Sequence, residues 1–105
     1  MYRDATKADP DFAPAWYNLA DVLDERGQTP EAIAALERSL KADPGYADAV
    51  FNLALMLQKL ERHADAATQW RRYLKLDADS AWSARAKRAL KFCEIQLAEE
   101  KRQTS

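Results

Sequence analysis

Two stretches, AWYNLA at Ala15–Ala20 and AVFNLA at Ala49–Ala54, repeat one phrase: an aromatic residue or its neighbour, then asparagine, leucine and alanine in succession. The asparagines, Asn18 and Asn52, stand 34 positions apart. The same offset pairs Leu19 with Leu53, Ala20 with Ala54, Leu23 with Leu57, Ala32 with Ala66, Leu40 with Leu74 and Asp43 with Asp77. It also runs backwards, since Lys7, Asp9 and Pro10 fall on Lys41, Asp43 and Pro44. A fixed period of this length marks a repeat architecture in which each unit is one supersecondary element.

Within each period, apolar residues spaced i, i+3, i+4, i+7 define two amphipathic helices. The first carries Trp16, Leu19, Ala20 and Leu23 on one stripe, after Pro14, which suits a first helical turn, and before Gly27, which suits a helix end. The second is expected to begin at Thr29 as cap, with Pro30 behind it, and to bury Ala32, Leu36 and Leu40 until Ala42–Pro44 stops it. In the next period the stripes are Val50, Leu53, Ala54, Leu57 and then Ala66, Trp70, Tyr73, Leu74. A fifth helix runs from Ala81, with Ser80 as cap, through Trp82, Ala86, Leu90, Cys93 and Leu97. Each pair reads as a helical hairpin.

Composition agrees. With 105 residues, 48% hydrophobic, 31% charged, and only two Gly and four Pro, the chain is expected to be a single all-α domain, helical nearly throughout. Sixteen basic residues against 17 acidic ones give a net charge of −1, which is no electrostatic footprint for nucleic acid or a membrane surface. The lone Cys93 has no partner for an internal disulfide, and no stretch has the layout of a signal peptide. The longest apolar run, LALML at Leu53–Leu57, is far short of the roughly 20 residues needed to cross a bilayer. A reducing cytoplasm is the expected compartment.

The pattern resembles the tetratricopeptide repeat, a family of helix-turn-helix units. Its bulky, Leu, small, large, Ala, large and Pro positions are met by Trp16, Leu19, Ala20, Leu23, Ala32, Leu36 and Pro44, and again by Val50, Leu53, Ala54, Leu57, Ala66 and Trp70. Ala78 replaces the second proline, and Ala20 and Ala54 replace the usual glycine. The resemblance implies an all-α, right-handed superhelical stack of antiparallel hairpins, with units at 11–46 and 47–80. Residues 1–10 resemble the end of a preceding repeat, with Tyr2, Ala5 and Pro10 at its aromatic, Ala and Pro positions, so the chain is expected to be cut from a longer array. Residues 81–105 resemble a capping helix and tail, its polar face crowded with Arg85, Lys87, Arg88, Lys91 and Glu94.

In resembling proteins the face beside the core stripe of each first helix lines a concave groove. Here that face carries Tyr17, Asn18 and Asp21, then Asp48, Phe51, Asn52 and Leu55, with Arg85 in the last helix. A carboxamide is both donor and acceptor, so Asn18 and Asn52 suit the backbone of an extended peptide. Tyr17 and Phe51 stay open between core edge and exposed anchor, and Trp82 is expected to be packed. Asp21, Asp24, Glu25 and Asp48 against Arg85 and Lys59 make the face polarised. The expected function is a non-catalytic scaffold that binds a protein or peptide segment. The alternative is a structural module stacking on another copy through the N-terminal half-repeat, or on a longer regulatory protein of the kind in which bacteria join such arrays to other domains. The family's clamp for chaperone C-terminal carboxylates is not expected, because its positions hold Tyr17, Asp21, Asn52, Trp82 and Ala86, of which only Asn52 matches.

No catalytic set can be assembled. His63 stands alone in a turn, where a solvent-facing or helix-capping role is expected, and Cys93 reads as a small core residue. There is no Gly-rich phosphate loop, metal-ligand pair or nucleophile with a base, so neither enzyme activity nor a cofactor or metal is expected. Arg85, Lys87, Arg88 and Lys91, without interleaved exposed aromatics, make no case for nucleic acid.

Overall fold

The structure is a computed structural model that describes residues 12–104; the segment holding Tyr2, Ala5 and Pro10 lies outside the described residues. It contains helices α1 (Ala13–Glu25), α2 (Thr29–Ala42), α3 (Ala47–Lys59), α4 (His63–Leu76) and α5 (Ala81–Thr104), and no strand among the described residues. The chain is all-α. It divides into two compact units, one reaching to Ala49 and the other beginning at Val50.

In the first unit α1 and α2 pack against each other. The small residues permit this approach: Ala20, Ala32 and Leu36 are wholly buried, with Leu19, Leu23, Ile33 and Leu40 around them. Pro14 sits in the first turn of α1, where its missing N–H costs nothing. Ser39, also wholly buried, donates its hydroxyl to the Ala13 carbonyl at 2.8 Å and so ties the end of α2 to the start of α1. Thr29 does not cap α2 through its side chain, as the sequence implied. Its hydroxyl donates instead to Asp24 Oδ1 at 2.8 Å, fastening the turn to α1. Trp16 is half-buried rather than core, with the Arg38 guanidinium lying 5.5 Å above its ring.

In the second unit α4 packs on α5, and Trp70, with no exposed surface, fills the centre. Around it lie Val50, Leu53, Ala54, Met56, Leu57, Ala66, Ala67, Ala86 and Cys93, all buried. Ser80 caps α5 as expected, accepting the Ser83 N–H at 3.2 Å while its own hydroxyl donates to the Asp77 carboxylate. The buried face of α5 differs from the expected stripe at four positions. Ser83 is buried and Trp82 is 55% exposed, while Leu90 and Leu97 are half-buried. The reason is angular: Ser83, Ala86 and Cys93 keep to one side of the helix, whereas Trp82 lies about 100° from Ser83.

The sequence period survives as backbone geometry. Ala15 N–H donates to the Phe12 carbonyl at 3.1 Å, and Ala49 N–H to the Tyr46 carbonyl at 3.1 Å. Gln28 donates to Leu23 at 2.8 Å, and Arg62 to Leu57 at 2.9 Å. Ala32 and Ala66 donate to Gln28 and Arg62, and Asp43 and Asp77 to Ser39 and Tyr73, each at 2.9 Å. Both hairpin turns are left-handed C-caps of the Schellman type, which satisfy carbonyls that a helix end leaves open. Gly27 supplies the positive φ of 77° in the first, and Glu61, at φ 60°, occupies the same place in the second. The same offset explains the surface of α5. Leu53, Ala54 and Leu57, buried on α3, become Lys87, Arg88 and Lys91, all exposed.

Candidate functional site

On the first unit, α1 presents Tyr17, Asn18 and Asp21 beside its buried stripe. Tyr17 is half-buried because its ring stacks on Tyr46, with centroids 5.2 Å apart and planes 30° from parallel. Asn18 is half-buried, and Asp21 and Asp48 are exposed. Partial desolvation, then the neighbouring charges of Glu25 and Asp24, push the Asp21 carboxyl above its ordinary pKa. Negative charge is therefore concentrated along this edge of α1.

On the second unit, Phe51 is the hub. Its ring meets Trp70 edge-on at 4.8 Å, Tyr73 at 5.1 Å and Trp82 at 5.5 Å. Such perpendicular pairs set the positive ring edge against the negative face. Phe51 is only 6% exposed, so it belongs to the core, and the surface it supports is formed by the residues above it. These are Trp82 and Arg85, whose guanidinium lies 5.6 Å from the Phe51 centroid and 5.2 Å from that of Trp82. Asn52 is half-buried next along α3, and Leu55 is 40% exposed one turn further.

Leu55 also lines a recess of about 390 Å³ with Gln58, Lys59, Glu61, His63 and Phe92. His63 is buried, in contrast to the expected solvent-facing position. Its Nδ1 lies 3.0 Å from Glu100 Oε1 and its ring stands 6.0 Å from that of Phe92. A contact 37 residues away along the chain holds it there. Cys93 is wholly buried, and burial followed by the Glu94 charge pushes its thiol pKa up, which keeps it in the unreactive protonated form.

The structure thus brings Phe51 and Arg85 together through Trp82, and places Tyr17 with Tyr46. Sequence reading missed the aromatic cluster around Phe51 and the exposed Phe92 and Ile95 of α5. Phe92 and Ile95 fall off the buried stripe, and apolar residues out of phase were the available signal. Among the described residues no three His, Cys, Asp or Glu side chains gather to hold a metal ion, and no helix is long and apolar enough to cross a membrane.

The family model described as tetratricopeptide repeat matches residues 1–47 and 21–81. None of the curated proteins matches the chain. Among solved structures, the TPR2B domain of yeast Sti1 in its complex with pHsp70 is similar at 21% identity and a TM-score of 0.81, over 90% of this chain and 78% of that one. The Yersinia enterocolitica type III secretion chaperone SycD, in complex with a peptide of the translocator YopD, is similar at 17% identity and a TM-score of 0.84, over 90% and 76%. The first such domain of Spaghetti (RPAP3), bound to the HSP90 peptide SRMEEVD, is similar at 18% identity and a TM-score of 0.83, over 92% and 75%.

Proposed function

Because the chain belongs to the tetratricopeptide repeat family, we propose that it is a non-catalytic interaction scaffold, binding an extended peptide or partner segment in the concave groove that repeats of this family form. One observation carries the reading. Ala15/Ala49, Leu19/Leu53, Ala20/Ala54 and Leu23/Leu57 are buried in both repeats, whereas the intervening pair Asn18/Asn52 is held half-exposed in both. A carboxamide retained at a semi-exposed, repeat-equivalent position suits a ligand backbone, to which it offers a donor and an acceptor. Structures of the same fold with a peptide of YopD and with the HSP90 peptide SRMEEVD support this mode.

Tyr17, Asp21, Asp48, Leu55 and Arg85 then select among peptides, with Phe51 acting beneath Trp82 and Arg85. A free C-terminal carboxylate is not the preferred ligand, since Tyr17, Asp21, Trp82 and Ala86 stand where the family's carboxylate clamp has its remaining donors. A few net hydrogen bonds of about 1 kcal/mol each must offset the ordering of the peptide, so affinity falls in the micromolar range. Affinity capture with the wild-type domain and with Asn18→Ala/Asn52→Ala, matched in thermal midpoint, tests the proposal. A partner held by the first and lost by the second is expected; equal capture by both would move the site elsewhere.

A further inference from the structure

We infer that Trp82 and Arg85 form a subsite for an acidic side chain of the bound segment, a Glu or Asp flanked by a large apolar residue. The inference rests on the peptide-binding reading above and adds the chemistry of one contact. The Arg85 guanidinium lies against two rings, 5.6 Å from the Phe51 centroid and 5.2 Å from that of Trp82, and among the described residues it makes no hydrogen bond or ion pair. Three arginines of this unit are already paired with carboxylates: Arg62 with Asp65 at 2.9 Å, Arg71 with Glu94 at 3.5 Å and Arg102 with Glu99 at 3.1 Å.

A cation–π contact restrains a guanidinium without using up its N–H groups, which can match a carboxylate in bidentate geometry. The rings therefore remove part of the ordering cost that a flexible surface arginine meets on binding. Trp82, 55% exposed, offers an apolar face beside Arg85, and Trp and Arg are both enriched in binding hot spots. Beyond Asp77 and Asp79, which precede α5, the first turns of the helix are basic. Ala81–Lys91 carries Arg85, Lys87, Arg88 and Lys91 and no acidic residue, so an anionic partner is drawn in and a basic one repelled. One planar arginine beside an indole suits a side-chain carboxylate within a peptide.

The test is selection from a random dodecapeptide library fused at its C-terminus to a phage coat, so that no free terminal carboxylate is present, with wild type, Arg85→Gln and Asn52→Ala as baits. Wild type should enrich Glu or Asp at one fixed position beside a large apolar residue. Arg85→Gln should lose that preference while still enriching peptides. For the amidated synthetic form of the best peptide, Arg85→Gln should weaken binding roughly 5- to 20-fold and leave the peptide's Glu→Gln counterpart unchanged. Peptides enriched without an acidic preference, or with one that survives Arg85→Gln, would overturn the subsite and leave the groove intact. No enrichment by wild type would overturn both. Tighter Arg85-dependent binding of a dT12 oligonucleotide than of any peptide, or binding that needs a free terminal carboxylate, would overturn the acidic side chain as occupant.

Discussion

The indole N–H of Trp70 donates to Gln58 Oε1 at 3.0 Å, and the Cys93 thiol reaches the same oxygen at 3.6 Å. One carboxamide thereby joins α3, α4 and α5 where Trp70 has no exposed surface. Gln58→Leu leaves the buried indole N–H without an acceptor, and should lower unfolding free energy by about 1–3 kcal/mol in urea denaturation. Trp70→Ala, which opens a cavity in the same place, should cost about 3–5 kcal/mol.

Gly27 and Glu61 hold equivalent left-handed turns, with φ of 77° and 60°. Only glycine takes this conformation without steric strain. Glu61→Gly should therefore stabilise the domain, by roughly 0.3–1 kcal/mol once the greater freedom of the unfolded glycine is counted. Gly27→Ala should destabilise it by about 1 kcal/mol, although a Cβ there meets nothing within 4 Å, because the penalty lies in the backbone. Thermal midpoints moving in opposite directions check the pair.

Ser39 is buried, and its hydroxyl is bonded to the Ala13 carbonyl. Ser39→Ala removes that donor with little change of volume, so a loss of about 1 kcal/mol is expected, measured by chemical denaturation.

Asp77 accepts hydrogen bonds from the hydroxyls of Ser80 and Tyr73, and these, with smaller backbone contributions, hold its carboxyl below the ordinary aspartate pKa. A lowered folded-state pKa means stability that is fully present above the unfolded value of roughly 3.9 and is lost as pH falls through the folded value. Asp77→Asn should flatten the stability profile below about pH 4 and change its slope little near neutrality. An unchanged acid limb would remove Asp77 from the account.

The hairpins were legible because packing positions such as Leu19/Leu53, Ala20/Ala54, Leu23/Leu57 and Ala32/Ala66 are written twice, 34 residues apart, and two copies expose a pattern that one would hide. What escaped was set by tertiary contact or by a single angle. Trp82 and Ser83 are adjacent, and an amphipathic stripe could not decide which turned inward. His63 was buried by Glu100 and Phe92, far along the chain and outside any local window. The second turn was obscured because Glu61 replaces the glycine that announces the first. Of the candidate site, the asparagine pair could be read directly. The cradle around Arg85 could not, since it depends on Phe51 and Trp82 meeting edge to face.

The central claim is that the repeat-equivalent asparagines touch the ligand. The most direct measurement is a nuclear magnetic resonance titration of the ¹⁵N-labelled domain with a peptide selected by it, following the side-chain amide signals of Asn18 and Asn52 and the Trp82 indole. Large, saturable shifts of both asparagine side-chain signals, with smaller ones in α2 and α4, are the predicted result. Saturable binding that leaves both carboxamides unmoved would contradict it and place the binding surface elsewhere on the domain.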